Sequence, residues 1–261
     1  MNLTKYVEKY PILESVAEFW ENYFSCRDKL LSKIPDFIPS DSIKVEEFKK
    51  VFDEGKPYLD LFRLKIYKKD LNLLAKIVKD DFGIKEKIKF DEKGLPIFDK
   101  LILSEDKIGF VKLIVYSSIY SYIGDLIMKN CSLVKWYEPV CPVCGSRAGI
   151  GFIEGDGKKS LVCSTCYTRW GHRRTACPIC ADEEQKSMRY FSADELPGWR
   201  IEVCESCGMY LKILDLREKN EDTPLYPLLY LSSWDLDVSI KDLNFRPSWF
   251  KIFYAASWLN K

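Results

Sequence analysis

The sequence predicts an α+β protein: an all-α N-terminal helical domain followed by two small metal-binding modules of the rubredoxin-like or zinc-ribbon-like kind. Three observations predict it. Apolar residues recur at three- and four-residue spacing through the first half of the chain, the signature of amphipathic helices. Beyond residue 140 the texture turns to Gly, Cys, Pro and short β-prone runs. Eight of the ten Cys fall there in four Cys-x-x-Cys pairs, while the whole chain carries a single His.

Composition sets the outer bounds. With 261 residues, 47% hydrophobic and 30% charged, the chain is ordinary globular material with enough length for a real core. Its 40 Lys+Arg against 39 Asp+Glu leave a formal charge of +1, which argues against a global pull toward nucleic acid or anionic membrane. The N-terminus, MNLTKYVEKYPILESVAEFW, lacks a basic region followed by an apolar block and a small-residue cleavage site, so no signal peptide is expected. The most apolar stretch, Gly109–Met128, carries Lys112, Asp125 and several Ser and Tyr. That makes it a poor bilayer span and a good buried helix. The expectation is a cytoplasmic protein without membrane insertion, and in that compartment close cysteine pairs favour metal ligation over disulfides.

The elements follow in order. Residues 1–135 form the helical domain. Pro11–Ile34 places Ile12, Val16, Phe19, Trp20, Phe24, Leu30 and Leu31 near one face, and Pro35 and Pro39 end it. Shorter helices are expected over Val45–Phe52 and Leu59–Val78, the second stopping at Asp80-Asp81-Phe82-Gly83, with a further break at Gly94-Leu95-Pro96 before the long apolar helix. The aromatic stripe of this half is read as core. Residues 136–172 form the first four-Cys module and 173–216 the second, with short strands at Leu161-Val162, Trp199–Val203 and Tyr210–Leu214. Residues 217–261 carry Trp234, Phe245, Trp249, Phe250, Phe253, Tyr254 and Trp258 and are expected to pack back on the rest.

The chemistry sits in the pairs Cys141/Cys144, Cys163/Cys166, Cys177/Cys180 and Cys204/Cys207, separated by 18, 10 and 23 residues. Two residues between thiolates let both sulfurs of a tight turn face one ion while the intervening amides point at them. Gly145 and Gly208 follow directly, where a turn calls for positive φ. A second pair arriving after a short hairpin completes a tetrahedral four-sulfur site. The expectation is two mononuclear four-thiolate ions per chain, iron or zinc. Sequential pairing is preferred, and interleaved pairing of the first motif with the third stays open at this point. Such a site is closed to water, so the metals are expected to hold the fold and not to catalyse. Cys26 and Cys131 lie beside apolar helix faces and are read as inert buried thiols. Arg169, His172, Arg173 and Arg174 form a dense basic cluster between the two sites. It is open to two readings: a solvated linker offsetting thiolate charge, or a contact for an anion or acidic partner.

The runs CPVCGS, LVCSTCYTRW, CPIC and EVCESCGMYLKILD resemble formate dehydrogenase accessory proteins of the FdhE type. The carriers are Trp170 four residues after Cys166, the ending Cys207 to Leu214, and the ten-residue gap between the second and third pairs. Weaker similarity runs through YVEKYPILESVAEFW and through LDVSIKDLNFRP at Leu236–Pro247. The resemblance implies a cytoplasmic maturation factor that binds the catalytic subunit of a molybdenum- or tungsten-dependent formate dehydrogenase and is needed for its activity. It also implies a helical domain followed by two rubredoxin-like modules. On that reading the basic cluster would meet the client, either an acidic peptide or a phosphate of its pterin dinucleotide cofactor. Two departures stand out. Gly171 separates Trp170 from His172, and the acidic stretch after the last module thins to Glu218, Glu221, Asp222, Asp235 and Asp237.

Two other function classes compete. A tandem zinc-ribbon nucleic-acid-binding protein would use Tyr167, Trp170 and the arginines, but residues 141–210 hold nine Lys+Arg against nine Asp+Glu. A thiol–disulfide enzyme would need one Cys-x-x-Cys at the start of a helix after a strand, and no pair has that setting. No phosphate-cradling glycine loop occurs either, so the chain is not expected to be an enzyme.

Overall fold

A helix buries an apolar stripe, and the sequence supplies several. The computed structural model describes residues 3–62, 64, 66–90, 95, 106–130, 136–218 and 226–255. Its helical part comprises α1 (Leu3–Lys9), α2 (Ala17–Lys33), α3 (Val45–Glu54), α4 (Tyr58–Leu61), α5 (Lys68–Asp81) and α6 (Lys107–Asn130). α6 is long and apolar enough to cross a membrane, but 83% of its most apolar window is buried inside the protein. It forms the axis of the domain, packing against α2, α3 and α5. Phe110, Val111, Ile114, Ile119, Tyr120 and Ile123 on it are fully buried, and a helix apolar on all sides is a core helix. The aromatic stripe of α2 packs as core: Phe19, Trp20 and Tyr23 meet one another, and Phe19 also meets Phe82 and Phe110.

Two helix boundaries differ from the sequence expectation. Pro11–Val16 winds as a 3₁₀ segment before α2 begins at Ala17. The stretch expected as one helix over Leu59–Val78 divides into α4 and α5, with Phe62 extended after the first turn; the Tyr58 and Leu59 amides, free at the start of α4, donate to the Pro142 and Val143 carbonyls at 2.7 and 3.1 Å. α4 is therefore a single turn clamped to a cysteine loop. α5 ends at Asp81, with Gly83 at φ +63 just beyond. Gly94, Pro96, Cys131, Glu221, Asp222 and Trp258 lie outside the described residues.

The second half is built as a repeated unit: a cysteine pair, two antiparallel strands, a second cysteine pair and a third strand. β1 (Ala148–Ile153), β2 (Lys159–Cys163) and β3 (Arg169–His172) make the first copy, and β4 (Met188–Ser192), β5 (Trp199–Cys204) and β6 (Met209–Asp215) the second. The two copies are not separate small modules. β1 pairs in parallel with β6 (Gly151 opposite Ile213), so six strands form one mixed sheet in the order β3-β2-β1-β6-β5-β4. A two-residue strand, β7 (Arg246–Pro247), adds to β6 in parallel. The sheet curls strongly. Lys159 on β2 and Glu202 on β5 stand three strands apart, roughly 14 Å in a flat sheet, yet their charges meet at 2.7 Å with both side chains fully buried.

The C-terminal segment, α7 (Tyr226–Leu231), α8 (Trp234–Ser239) and α9 (Lys251–Ala255), closes over the sheet and α6. Phe250 is buried among Tyr167, Tyr230 and Phe253. Lys212 of β6 enters this segment wholly buried, donating to the Tyr230 and Ser233 carbonyls at 3.0 and 2.9 Å and pairing with Asp237 at 2.5 Å.

Candidate metal centres

Each cysteine pair sits on a tight loop whose geometry the intervening residues set. The Val143 amide donates to Cys141 Sγ at 3.4 Å, the Thr165 amide to Cys163 Sγ at 3.3 Å, and the Ile179 amide to Cys177 Sγ at 3.4 Å. In three loops a backbone bond returns from the residue after the second cysteine to the first: Gly145 N to Cys141 O at 3.0 Å, Ala181 N to Cys177 O at 3.0 Å and Gly208 N to Cys204 O at 2.9 Å. The same residue has left-handed backbone in all four loops: Gly145 at φ +76, Tyr167 at +63, Ala181 at +61 and Gly208 at +65. Glycine takes that conformation freely, whereas a side chain with a Cβ is strained by about 1–2 kcal/mol. Sequence reading found the two glycines; Tyr167 and Ala181 are marked only by their position.

The loops bring the eight sulfurs together in two groups, Cys141, Cys144, Cys163 and Cys166 in one and Cys177, Cys180, Cys204 and Cys207 in the other. The pairing is therefore sequential. Within each group the sulfurs all lie within 4.8 Å of one another. The measured edges are 3.5 Å (Cys141 to Cys166), 3.5 Å (Cys144 to Cys163), 3.6 Å (Cys144 to Cys166), 3.9 Å (Cys177 to Cys207) and 3.8 Å (Cys180 to Cys204). A tetrahedron with metal–sulfur bonds near 2.3 Å has edges of about 3.8 Å, and a disulfide would need about 2.05 Å. Both groups fit a four-thiolate ion and neither contains a disulfide. Burial pushes the Cys141 and Cys144 thiols well above their ordinary range, so an all-thiolate set in this interior requires a cation.

The surroundings of the two groups differ. The first is entirely buried. The Tyr58 and Leu59 amides hold its first loop, and the Lys251 amide donates to the Ser164 carbonyl of its second at 3.1 Å. Thr168 Oγ1 lies 3.1 Å from Cys166 Sγ, and Thr165 Oγ1 donates to Ser146 Oγ at 2.9 Å, tying the two loops together. α6 approaches so closely that a Cβ at Gly124 would overlap Thr168 Oγ1. Tyr167 drives its ring into the helical domain, where its hydroxyl meets that of Tyr23 at 2.6 Å and the Arg27 guanidinium lies 4.9 Å from its centroid. The second group lies at the rim of the sheet: Cys177 and Cys204 are buried, Cys207 is half-buried and Cys180 is exposed.

The basic cluster runs from β3 into the loop between the groups. Arg169 pairs with Glu154, donates to Ser160 Oγ at 2.8 Å and stacks 4.6 Å from the Phe152 centroid. Arg173 pairs with Glu183. Arg174 donates to the Gly157 carbonyl at 3.1 Å. His172 is buried, and its Nε2–H reaches the Cys177 carbonyl at 3.2 Å. Burial, then the nearby Lys159 charge, pulls it down to about 4, so it is neutral at physiological pH and adds no charge to the cluster. Arg169, His172 and Arg174 line a cleft of about 760 Å³, together with Met128, Tyr137 and Trp170, whereas Arg173 lies outside the lining. Trp170 is buried and donates to the Glu138 carbonyl at 3.1 Å. Cys26 is fully buried and its thiol is pushed up to about 12 by burial and then by Asp81.

No family model matches the chain. It is 27% identical over 259 residues to a protein from Aquifex aeolicus described as "Protein FdhE homolog", an alignment covering 91% of this chain and 88% of that one. A shorter match, 37% identical over 78 residues, is to the protein described as FdhE in Escherichia coli; it covers 28% of this chain and 25% of that one. The crystal structure of the FdhE protein from Pseudomonas aeruginosa shares the fold at a TM-score of 0.52 with 17% sequence identity, covering 92% of this chain and 89% of that one. Over nearly its full length the chain is thus similar in sequence to the Aquifex aeolicus FdhE homologue, and it shares the fold of the Pseudomonas aeruginosa FdhE structure.

Proposed function

We propose that this protein is a non-catalytic accessory factor for the maturation of a formate dehydrogenase. On this reading it works in the cytoplasm, holds two four-thiolate metal ions, iron or zinc, at the two cysteine groups, and binds the catalytic subunit of a molybdenum- or tungsten-dependent enzyme. The observation that carries the reading is the near-full-length similarity to an FdhE homologue, joined to two quartets of sulfurs at metal-binding separation. When bound at a closed structural site, such an ion supplies folding free energy on the order of 10 kcal/mol. The chain's own residues orient the thiolates through loop amides and shield them, and four protein ligands leave no position for a reacting water.

The client contact is assigned to the surface between the groups, with Arg169, His172, Arg173 and Arg174 as its residues and an acidic client segment or pterin dinucleotide phosphate as the group met. Support comes from three of the four lining one cleft, together with Lys158 and Lys159 and the acids Glu154 and Asp156. Arg173 and Arg174 are exposed and are the two whose loss would leave the sheet intact. The test is anaerobic co-purification with a formate dehydrogenase catalytic subunit, with metal analysis and an absorption spectrum on the same sample. Capture of the subunit, and loss of formate dehydrogenase activity in cells lacking the protein, are expected. Visible charge-transfer bands would identify iron, and a colourless protein with two zinc per chain would identify zinc. Failure to capture the subunit together with unchanged cellular activity would overturn the reading. Replacing Arg173 and Arg174 by Ala should weaken capture while metal content holds.

A further inference from the structure

The two cysteine groups share a loop design and differ in what covers them. The first has all four sulfurs buried, one loop held by α4 amides and the other by the start of α9, with Thr168 closed down on Cys166 by the approach of α6. For a chelator or an electrophile to reach these sulfurs, the helical domain must separate from the sheet. The second group lies at the far end of the curled sheet. Its loops are held to turns of their own copy, Glu205 N donating to Ser187 O at 2.8 Å and Ser206 bonding to Asp182, and to β7 through Arg246 N to Gly208 O at 2.9 Å. Cys180 is exposed and Cys207 half-buried, so no domain movement is needed to reach them.

Resting on the reading that both groups bind metal, we infer that the centres do different work: the first is a permanent staple, and the second is an exchangeable, thiol-reactive centre attacked first at Cys180. Reactivity of a metal-bound thiolate follows its access. A soft alkylating electrophile such as iodoacetamide forms a sulfur–carbon bond at Cys180, expels iodide and breaks one metal–sulfur bond. The remaining three thiolates then hold the ion less firmly, and it leaves to solvent or chelator. The damage stays local. β6 remains paired with β1 and tied to the C-terminal segment through Lys212, so losing the second ion frees the loops around 177–182 and 204–208 without opening the first centre.

The experiment uses the full-length metal-loaded protein under anaerobic conditions, with an excess of a metallochromic chelator. Half of the metal is expected to leave at least about tenfold faster than the rest, as the difference in access requires. A short iodoacetamide pulse followed by peptide mapping should label Cys180 first. At the end of the fast phase, label should be found on Cys177, Cys180, Cys204 and Cys207 and on none of Cys141, Cys144, Cys163 and Cys166. Cys180→Ser should purify with one metal per chain and a native near-UV circular dichroism spectrum. Two metals leaving in a single phase, or label appearing in both quartets together, would overturn the inference while sparing the metal reading. A protein that purifies with no metal at all would overturn both.

Discussion

The residue one place beyond the second cysteine of each pair carries a left-handed backbone, and the four sites meet that demand differently. Gly145 and Gly208 do so without a Cβ. Tyr167 is held there by its hydroxyl bond to Tyr23 and its packing on Arg27 and Phe250, whereas Ala181 has only a methyl group to offer. Ala181→Gly should therefore stabilise the protein by about 0.5–1 kcal/mol, read as a higher denaturant midpoint at unchanged slope. At Gly124 the opposite holds. An alanine methyl would push Thr168 off Cys166, so Gly124→Ala should cost about 1–3 kcal/mol. In cobalt-substituted protein it should shift the ligand-field bands of the first centre and leave those of the second in place. The eight ligand candidates and the two glycines were legible because their identity announces their role. Tyr167, Ala181 and Gly124 were not, since their constraint comes from backbone shape and from a helix that reaches them only in three dimensions.

At the scale of elements, β6 is where the parts meet: β5 lies on one side of it and β1 and β7 on the other, while Lys212 runs from it into the C-terminal segment. Burial, opposed by Asp237 and more weakly by Asp235, pulls the Lys212 ammonium down to about 8 from its usual 10.5. A lysine with a lowered folded value binds fewer protons folded than unfolded between those limits. Its full penalty is present below pH 8 and is relieved as pH rises toward 10.5, by at most about 3 kcal/mol. Wild-type stability measured by urea unfolding should therefore rise relative to Lys212→Met between pH 8 and pH 10. At neutral pH the same substitution should itself destabilise, because Asp237 loses its buried cation and keeps only the Tyr210 and Tyr230 hydroxyls. The buried pair of Lys159 and Glu202, with Arg200 also on Glu202 at 2.9 Å, invites a double-mutant cycle: Lys159→Met alone should cost about 1.5–3 kcal/mol, and adding Glu202→Leu should recover part of it. Of the strands, β2, β5 and β6 were readable as β-branched or apolar runs. β1 reads AGIGFI, buried throughout, with two glycines where a polar face would stand, and β4 is a mostly exposed edge, so neither carries the apolar–polar alternation of a half-buried strand. The anchoring of α4 at its start rests on hydrogen bonds to a loop about eighty residues away, which no local pattern reports.

For the whole molecule, the metals and the helical core should fail together at the first centre, since its loops bond to α4 and α9. Exhaustive chelation should shift the tryptophan emission of buried Trp170 and Trp199 to the red and collapse cooperative unfolding, with a loss on the order of 10 kcal/mol from the buried first centre. The overall division into helical and cysteine-rich halves could be read from texture alone. The single sheet could not, because each copy is locally a complete hairpin unit and only the parallel β1–β6 pair joins them. That pair has a temporal consequence. β6 follows β1 by about sixty residues, and at ordinary elongation rates it leaves the ribosome several seconds later. All four cysteines and all three strands of the first copy are therefore out of the ribosome while the β1 edge still waits for its partner.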